Sequence, residues 1–134
     1  MGFRGGIYFF ENLTFKDGIK GDKLVVFLND GSKGQFLFLK TTSQNKHYGD
    51  CGIGCYSDKG VYVIDDKRFF PKRTYIQFRR NDIFIKDNIS LLKERLNGNL
   101  EKKGELDSNT LSGLIDCFKN SYDFSGIYLE LLKS

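Results

Sequence analysis

Short apolar segments separated by glycine-containing links run through the first 86 residues and restrict the fold more than any other feature of the chain. These segments are Arg4–Phe10, Leu24–Asp30, Gln35–Lys40, Val61–Ile64, Thr74–Phe78 and Ile83–Ile85. They are rich in branched and aromatic residues, which are typical of β-strands. The pair Asp30-Gly31 predicts a turn between two of them, because glycine readily adopts positive φ angles. Short strands at close spacing favour a small antiparallel barrel over a parallel α/β sheet.

Helical periodicity is confined to the last third of the chain. Segment Asp107–Asn120 carries apolar residues at i, i+3, i+4 and i+7, with Asp107 or Ser108 as its N-cap. Ser90–Leu96 predicts a shorter helix with Ser90 as its N-cap, and the leucine content of Ile127–Lys133 also favours a helix. The polar segment Asn97–Gly104 predicts a loop.

With 134 residues, of which 40% are hydrophobic, the chain has the size and composition of one globular domain. We therefore predict an α+β fold, mainly β, with an antiparallel barrel over about 1–86 and helices over about 88–134. The net charge of +4 permits an acidic or nucleic-acid partner without requiring one.

The three cysteines divide into a close pair, Cys51 and Cys55, and the distant Cys117. The chain shows neither a secretory leader pattern nor a run of 18 apolar residues, so we expect a cytoplasmic protein with free thiols and no membrane association. Segment Gln44–Gly60 predicts a long surface loop. It holds the spacing H-x3-C-x3-C from His47 to Cys55, and zinc is an alternative there, although no fourth ligand is apparent. We assign no metal site.

Polar groups follow the third strand segment directly, in the run Thr41–Gln44. A glycine-bearing loop, DGIKGDK (Asp17–Lys23), lies earlier in the chain and carries Lys20 and Lys23. Hydroxyls at a sheet edge beside a cationic loop suit an anionic ligand such as a phosphate group, although the loop lacks the P-loop spacing. The alternative is a solvated strand connection.

Basic and aromatic residues alternate in KRFFPKRTYIQFRR (Lys67–Arg80). On a strand, Tyr75, Gln77 and Arg79 share one face, which we expect to be exposed. Exposed aromatic and cationic groups suit single-stranded nucleic acid, whose bases stack and whose phosphates pair with cations. A basic solvated face is the alternative. His47, the only histidine, is either a general acid or base or an exposed bystander.

In order and in content these motifs resemble the MazF/PemK toxin family. Members open with a motif like RGDVYFADL, where this chain has RGGIYFFENL (Arg4–Leu13). The family strand VLVIQND is matched by a strand ending in VFLND, and the family's T-S/A-Q by Thr42-Ser43-Gln44. A family motif like HLDDEMMDKVDEAL corresponds to ELDSNTLSGLIDCF (Glu105–Phe118).

The resemblance implies a small SH3-like barrel with appended helices, a homodimer, a cognate antitoxin protein and cleavage of single-stranded RNA without a metal or other cofactor. It also implies a catalytic role for the motif threonine, which is Thr42 here. The family's loop arginine, which precedes a proline, has no counterpart, and Asp22 or Lys23 stands at its place. Lysine supplies only a point charge there, whereas arginine clamps a phosphate through two hydrogen bonds.

The first hypothesis is therefore a cytoplasmic endoribonuclease toxin. It assigns catalysis to Thr42, Lys23, Arg79 and Arg80, and RNA binding to Lys20, Ser43, Gln44, His47, Tyr75 and Gln77. His47 or Asp82 would exchange protons with the substrate. The second hypothesis is a catalytically weakened module that binds RNA or a protein partner through the same basic face.

Overall fold

The computed structural model describes residues 3–46 and 48–134. Within these residues the chain forms eight strands and three α-helices. In chain order they are β1 (Gly6–Thr14), β2 (Lys20–Phe27), β3 (Gln35–Thr42), β4 (Gly54–Tyr56), β5 (Val61–Ile64), β6 (Thr74–Gln77), β7 (Ile83–Asp87), α1 (Asn88–Leu96), β8 (Leu100–Glu105), α2 (Ser108–Lys119) and α3 (Gly126–Leu132). The predicted α+β class, mainly β, is confirmed, as are all six predicted strands.

The three predicted helices are also present. Helix α2 begins where its capping residue predicts, because the Asp107 carboxylate accepts a hydrogen bond from the backbone N–H of Thr110. In α1 the cap is Asp87 rather than the predicted Ser90, whose N–H is the donor to it. None of the helices among the described residues has both the length and the apolar character needed to cross a bilayer.

Every strand pair in the sheet is antiparallel, and the strand order is β4-β5-β6-β3-β2-β1-β8. One edge of β3 pairs with β2, while the other pairs with β7 along its first half and β6 along its second. Within the described residues the path runs from β4 to β8 without closing on itself. The antiparallel sheet is therefore confirmed, whereas a closed barrel is not.

The two faces of β3 pack against different groups of residues. Leu37 and Leu39 lie in the larger apolar cluster, which also contains the buried side chains of α2 and α3. Phe36 and Phe38 point to the opposite face and join a second cluster with side chains of α1 and β8. A third cluster on this second face contains Tyr75 of β6, which pairs with Thr42 at the C-terminal end of β3. The second face thus has apolar packing at both ends.

Two segments predicted as loops contain strands. Strand β8 lies in the predicted loop Asn97–Gly104, where it pairs with β1 at the edge of the sheet. Only Leu100 of this strand is buried, so its sequence carries no strand periodicity that could reveal it. The predicted surface loop Gln44–Gly60 contains β4 and buries Tyr48 and Cys51.

The prediction of free thiols is wrong for two of the three cysteines. Cys55 of β4 and Cys117 of α2 form a disulfide across 62 residues of chain, whereas Cys51 is a free, buried thiol. The sequence did not indicate this pair, because β4 meets α2 only after the sheet has folded. The alternative zinc set loses Cys55 to the disulfide, and His47 lies outside the described residues. No group of three metal-ligating side chains occurs in 3–46 and 48–134.

Candidate functional site

The second face of β3 changes from apolar to polar between Phe38 and Lys40. Side chains two residues apart on a strand share a face, so Lys40 and Thr42 continue the row that Phe36 and Phe38 begin. Across the ladder to β6, Lys40 pairs with Gln77 and Thr42 pairs with Tyr75. These polar positions therefore lie between the two apolar clusters on one face of the sheet.

Strand β2 adds Lys23 to the same face. Its register pairs Val25 with Lys40, and continuing that register by two residues places Lys23 opposite Thr42. The hydroxyl of Thr41 donates to the carbonyl of Leu24 at 2.7 Å, which holds the ends of the two strands together. The predicted cationic loop is therefore partly strand, and this strand positions Lys23.

Lys23, Thr42 and Ser43 line one cleft of about 250 Å³, which we call the threonine cleft, together with Lys72 and Asp22. The Thr42 hydroxyl accepts a hydrogen bond from the backbone N–H of Gln44 at 3.1 Å, so its own proton can be donated elsewhere. Burial, and then the nearby Lys40 ammonium, lower the pKa of Lys23. A lysine in this state gives up its proton more readily than an exposed one.

A second and larger cleft, of about 550 Å³, contains both predicted catalytic arginines, and we call it the arginine cleft. Arg79 donates from Nε to the carbonyl of Lys59 at 3.0 Å, and its guanidinium lies 4.9 Å from the centre of the Tyr48 ring. Arg80 is exposed, and its backbone N–H donates to Asp123 at 3.0 Å. These contacts keep Arg79 on the rim of the cleft.

The floor of the arginine cleft consists of partly or fully buried polar groups. The ammonium of Lys40 lies 3.3 Å from Oδ1 of Asp82, and the two side chains are only 20% and 10% exposed. Lys40 also lies 4.8 Å from the centre of the Phe15 ring. Gln77 donates from Nε2 to the Tyr48 hydroxyl at 2.7 Å. Burial is the main cause that raises the pKa of Tyr48, so this hydroxyl stays protonated at neutral pH.

The predicted site residues do not share one groove. Lys23, Thr42 and Ser43 lie together, whereas Gln77, Arg79 and Arg80 line the neighbouring cleft. Lys20 lies at the start of β2, against Thr14 of β1, and lines neither cleft. Gln44 is exposed beside Thr42, and the prediction for His47 falls outside the described residues.

The prediction that Tyr75 and Gln77 are exposed is wrong. Tyr75 is 4% and Gln77 7% exposed. Tyr48, from the segment predicted to be a surface loop, stacks on Tyr75 with ring centres 5.5 Å apart. This folded segment covers a strand face that the alternation of β6 alone would leave open.

Lys40, which lines the arginine cleft on the side of Lys23, was not among the site residues predicted from the sequence. The alternation of side chains along a strand could have revealed it, because residues two apart share a face and Lys40 is two residues from Thr42. The sequence did suggest Asp82, but its pairing with Lys40 depends on the turn Arg80–Asp82 that separates β6 from β7.

No protein-family model matches the chain, and no curated protein matches it. The likeness to the MazF/PemK family therefore rests on the quoted motifs alone. The roles of Thr42, Lys23 and the arginines remain predictions.

Proposed function

We propose that the chain is a metal-independent endoribonuclease that cleaves single-stranded RNA and acts as the toxin of a toxin–antitoxin pair. The observation that carries this proposal is that Lys23 and Thr42 line the same cleft although they come from different strands. A hydroxyl donor beside a partly buried ammonium suits a phosphate group that gains negative charge during a reaction.

In the proposed reaction the ribose 2′-oxygen attacks the neighbouring phosphorus and the bond to the 5′-oxygen breaks. The products are a 2′,3′-cyclic phosphate and a 5′-hydroxyl. Thr42 and Ser43 donate hydrogen bonds to the phosphate, and Lys23 protonates the leaving 5′-oxygen, a role that its lowered pKa supports. Of the two predicted acceptors of the 2′-hydroxyl proton, Asp82 lines the arginine cleft and pairs with Lys40, so the proposal assigns this role to His47, which lies outside the described residues.

Arg79 and Arg80 have a different role in this proposal from the one that the sequence suggests. Both line the arginine cleft and not the threonine cleft, so we assign them to phosphates that flank the reacting one. A strand of RNA that crosses both clefts would meet cations along its backbone, which is how single-stranded nucleic acid is held without regard to sequence.

The proposal is tested by incubating the purified chain with single-stranded RNA in the presence of a metal chelator. We expect cleavage to continue and the new 5′ ends to accept phosphate from a polynucleotide kinase without prior dephosphorylation. Thr42→Ala and Lys23→Ala should each lower the rate about 10²–10³-fold, as the loss of one transition-state donor does. Lys103→Ala, which removes an exposed cation from β8, is the matched control. Cleavage that survives both site substitutions would refute the assignment.

A binding module without catalysis is the second candidate, and one observation favours it. The loop position of the family arginine holds no arginine, so the bidentate phosphate clamp that arginine would supply there is missing. This module would bind single-stranded RNA without cutting it. Retention of intact RNA in a gel-shift assay, with no new 5′ ends, distinguishes it from the nuclease.

The finer features of the resemblance belong to the same proposal: an SH3-like barrel, a homodimer, an antitoxin that covers the clefts, and a cytoplasmic location. The disulfide between Cys55 and Cys117 opposes the last of these, because structural disulfides are rare in a reducing cytoplasm. Alkylation of free thiols in cells that produce the chain would test it. Light scattering would test for the dimer.

A further inference from the structure

We propose that the arginine cleft is a recognition site for an unpaired guanine base, next to the phosphate that is cleaved. This inference rests on the proposed function, because the RNA strand supplies the base. It concerns a different cleft from the one that carries catalysis, and it assigns the nuclease a base preference.

Gln77 provides the first observation. The residue is 7% exposed, and it lines the arginine cleft from β6. Its Nε2 donates to Tyr48, but its Oε1 is buried and has no hydrogen-bond partner among the described residues. A buried acceptor without a donor destabilises a fold by about 1–3 kcal/mol, so a ligand that brings a donor to Oε1 would remove this cost on binding.

Lys40 and Asp82 provide the second observation. Their charged atoms are 3.3 Å apart, and Lys40 is the direct cross-strand partner of Gln77. The floor of the cleft therefore presents one strong donor, the ammonium, beside two acceptors, the carboxylate and the amide oxygen.

Guanine alone among the four RNA bases presents the complement of this set on its Watson–Crick edge. It offers one acceptor, O6, and two donors, N1–H and the 2-amino group, whereas uracil and cytosine offer two acceptors and one donor, and adenine offers one of each. O6 and N1 are neighbours on that edge, so we assign them to the adjacent Lys40 and Asp82. The 2-amino group then faces Gln77.

A base reaches Gln77 only if a rim side chain moves, because Oε1 is closed off in the free protein. Arg79 is the side chain placed to do this, since it is exposed and lies over the Tyr48 ring to which Gln77 is hydrogen-bonded. Displaced from that ring, its planar guanidinium can stack on the base, which leaves Arg80 to contact the flanking phosphates.

The spacing of the two clefts agrees with a guanosine adjacent to the reacting phosphate. The row Lys40–Gln77 and the row Thr42–Tyr75 are two residues apart on one strand face, a separation of roughly 7 Å. One nucleotide can therefore place its base in the arginine cleft and its phosphate in the threonine cleft.

The inference is tested with pentaribonucleotides of sequence UUNUU that carry 2′-O-methyl groups, so that binding is measured without cleavage. We expect the full chain to bind the guanine oligomer about tenfold or more tightly than the adenine oligomer, which lies within the range for a base read by paired hydrogen bonds. Inosine, which lacks the 2-amino group, should bind several-fold more weakly than guanine. The analogue 7-deazaguanine should bind as guanine does, because its change lies on the opposite edge.

Gln77→Met should abolish the difference between guanine and inosine, because the methionine side chain offers the 2-amino group no comparable acceptor. Gln35→Met, at an exposed position of β3, makes the same change of residue elsewhere and should preserve the difference. Equal binding of guanine and adenine by the unaltered chain would overturn the inference, as would a guanine–inosine difference that persists in Gln77→Met. The comparison of bases needs no variant, so it decides the matter even if Gln77→Met does not fold.

The outcomes separate this inference from the proposed function. A chain that cleaves RNA at the threonine cleft but binds all four oligomers alike would support the nuclease and refute the guanine site. A chain that prefers guanine but yields no new 5′ ends would support the guanine site and refute the nuclease.

Discussion

Replacing Asn29 with alanine should destabilise the fold more than any other change of a single polar side chain that we propose. Asn29 is fully buried in the turn that follows β2. Its Oδ1 accepts from the backbone N–H of Leu37 at 2.9 Å, and its Nδ2 donates to the carbonyls of Gln35 and Leu131 at 3.0 and 3.1 Å and to the hydroxyl of Ser134 at 3.0 Å. One side chain thus joins β3 to the C-terminal helix.

The magnitude follows from what alanine leaves behind. The Leu37 carbonyl accepts from the backbone N–H of Leu28, and the N–H of a strand residue points the same way as its carbonyl, so this N–H faces Asn29 and not β7. Alanine would leave it without that acceptor, and an orphaned buried donor costs about 1–3 kcal/mol. Loss of the amide donors adds about 1 kcal/mol, since the carbonyl of Leu131 keeps the backbone N–H of Ser134 as a donor. The free energy of unfolding should therefore fall by about 2–4 kcal/mol, and the melting temperature by roughly 10 °C.

Urea unfolding followed by circular dichroism measures this change. Asn109→Ala, at an exposed position in the first turn of α2, is the matched control and should change stability by less than about 0.5 kcal/mol. A loss below about 1 kcal/mol for Asn29→Ala would refute the reasoning, because it would mean that Leu37 is satisfied without the amide. Asn29, the asparagine of the VFLND motif, would then have no structural role.

Three further predictions concern the fold. Reduction of the Cys55–Cys117 disulfide, or Cys55→Ala, should lower the free energy of unfolding by about 2–4 kcal/mol, because the bond closes a long loop of 62 residues. The control is Cys51→Ala, in which a reducing agent should lower the melting temperature as much as in the unaltered chain. Gly31→Ala should destabilise the turn before β3 by about 1–3 kcal/mol, since φ is 76° there and a Cβ would lie 2.6 Å from an aromatic ring. The hydrogen bonds that Asp107 accepts at the start of α2 lower the pKa of its carboxyl group. The stabilisation by this carboxylate is therefore complete above the pKa of the unfolded state and is lost as the pH falls through the lower pKa of the folded state. Acid titration of unfolding should therefore show a loss below about pH 4 that is smaller in Asp107→Ala.

The predicted helices and strands were those whose own side chains carry the signal. Asp107–Asn120 shows helical periodicity because one side of α2 is buried, and β3 is apolar because both of its faces are covered over most of its length. Strand β8 was missed because it is an edge strand whose exposed residues include Lys102 and Lys103, and only its hydrogen bonds to β1 define it.

The candidate site was predictable in part for the same reason. Lys23 and Thr42 were predicted to act together because a loop and a motif that are local in sequence contain them, although Lys23 lies in β2 and not in a loop. The burial of Tyr75 and Gln77 does not, because the covering ring of Tyr48 belongs to a segment with few apolar residues and many glycines. Local alternation reports which side chains share a face of a strand, but it cannot report what covers that face.

By itself the sequence determined the class of fold, most of the strands, the three helices and the cap of α2, because these depend on contacts within a few residues of chain. Only the tertiary structure decided which cations act together, since Lys40 and Asp82 are 42 positions apart and meet through strand pairing. It also divided the predicted site residues between two main clefts and paired Cys55 with Cys117, because both depend on packing between segments distant in sequence.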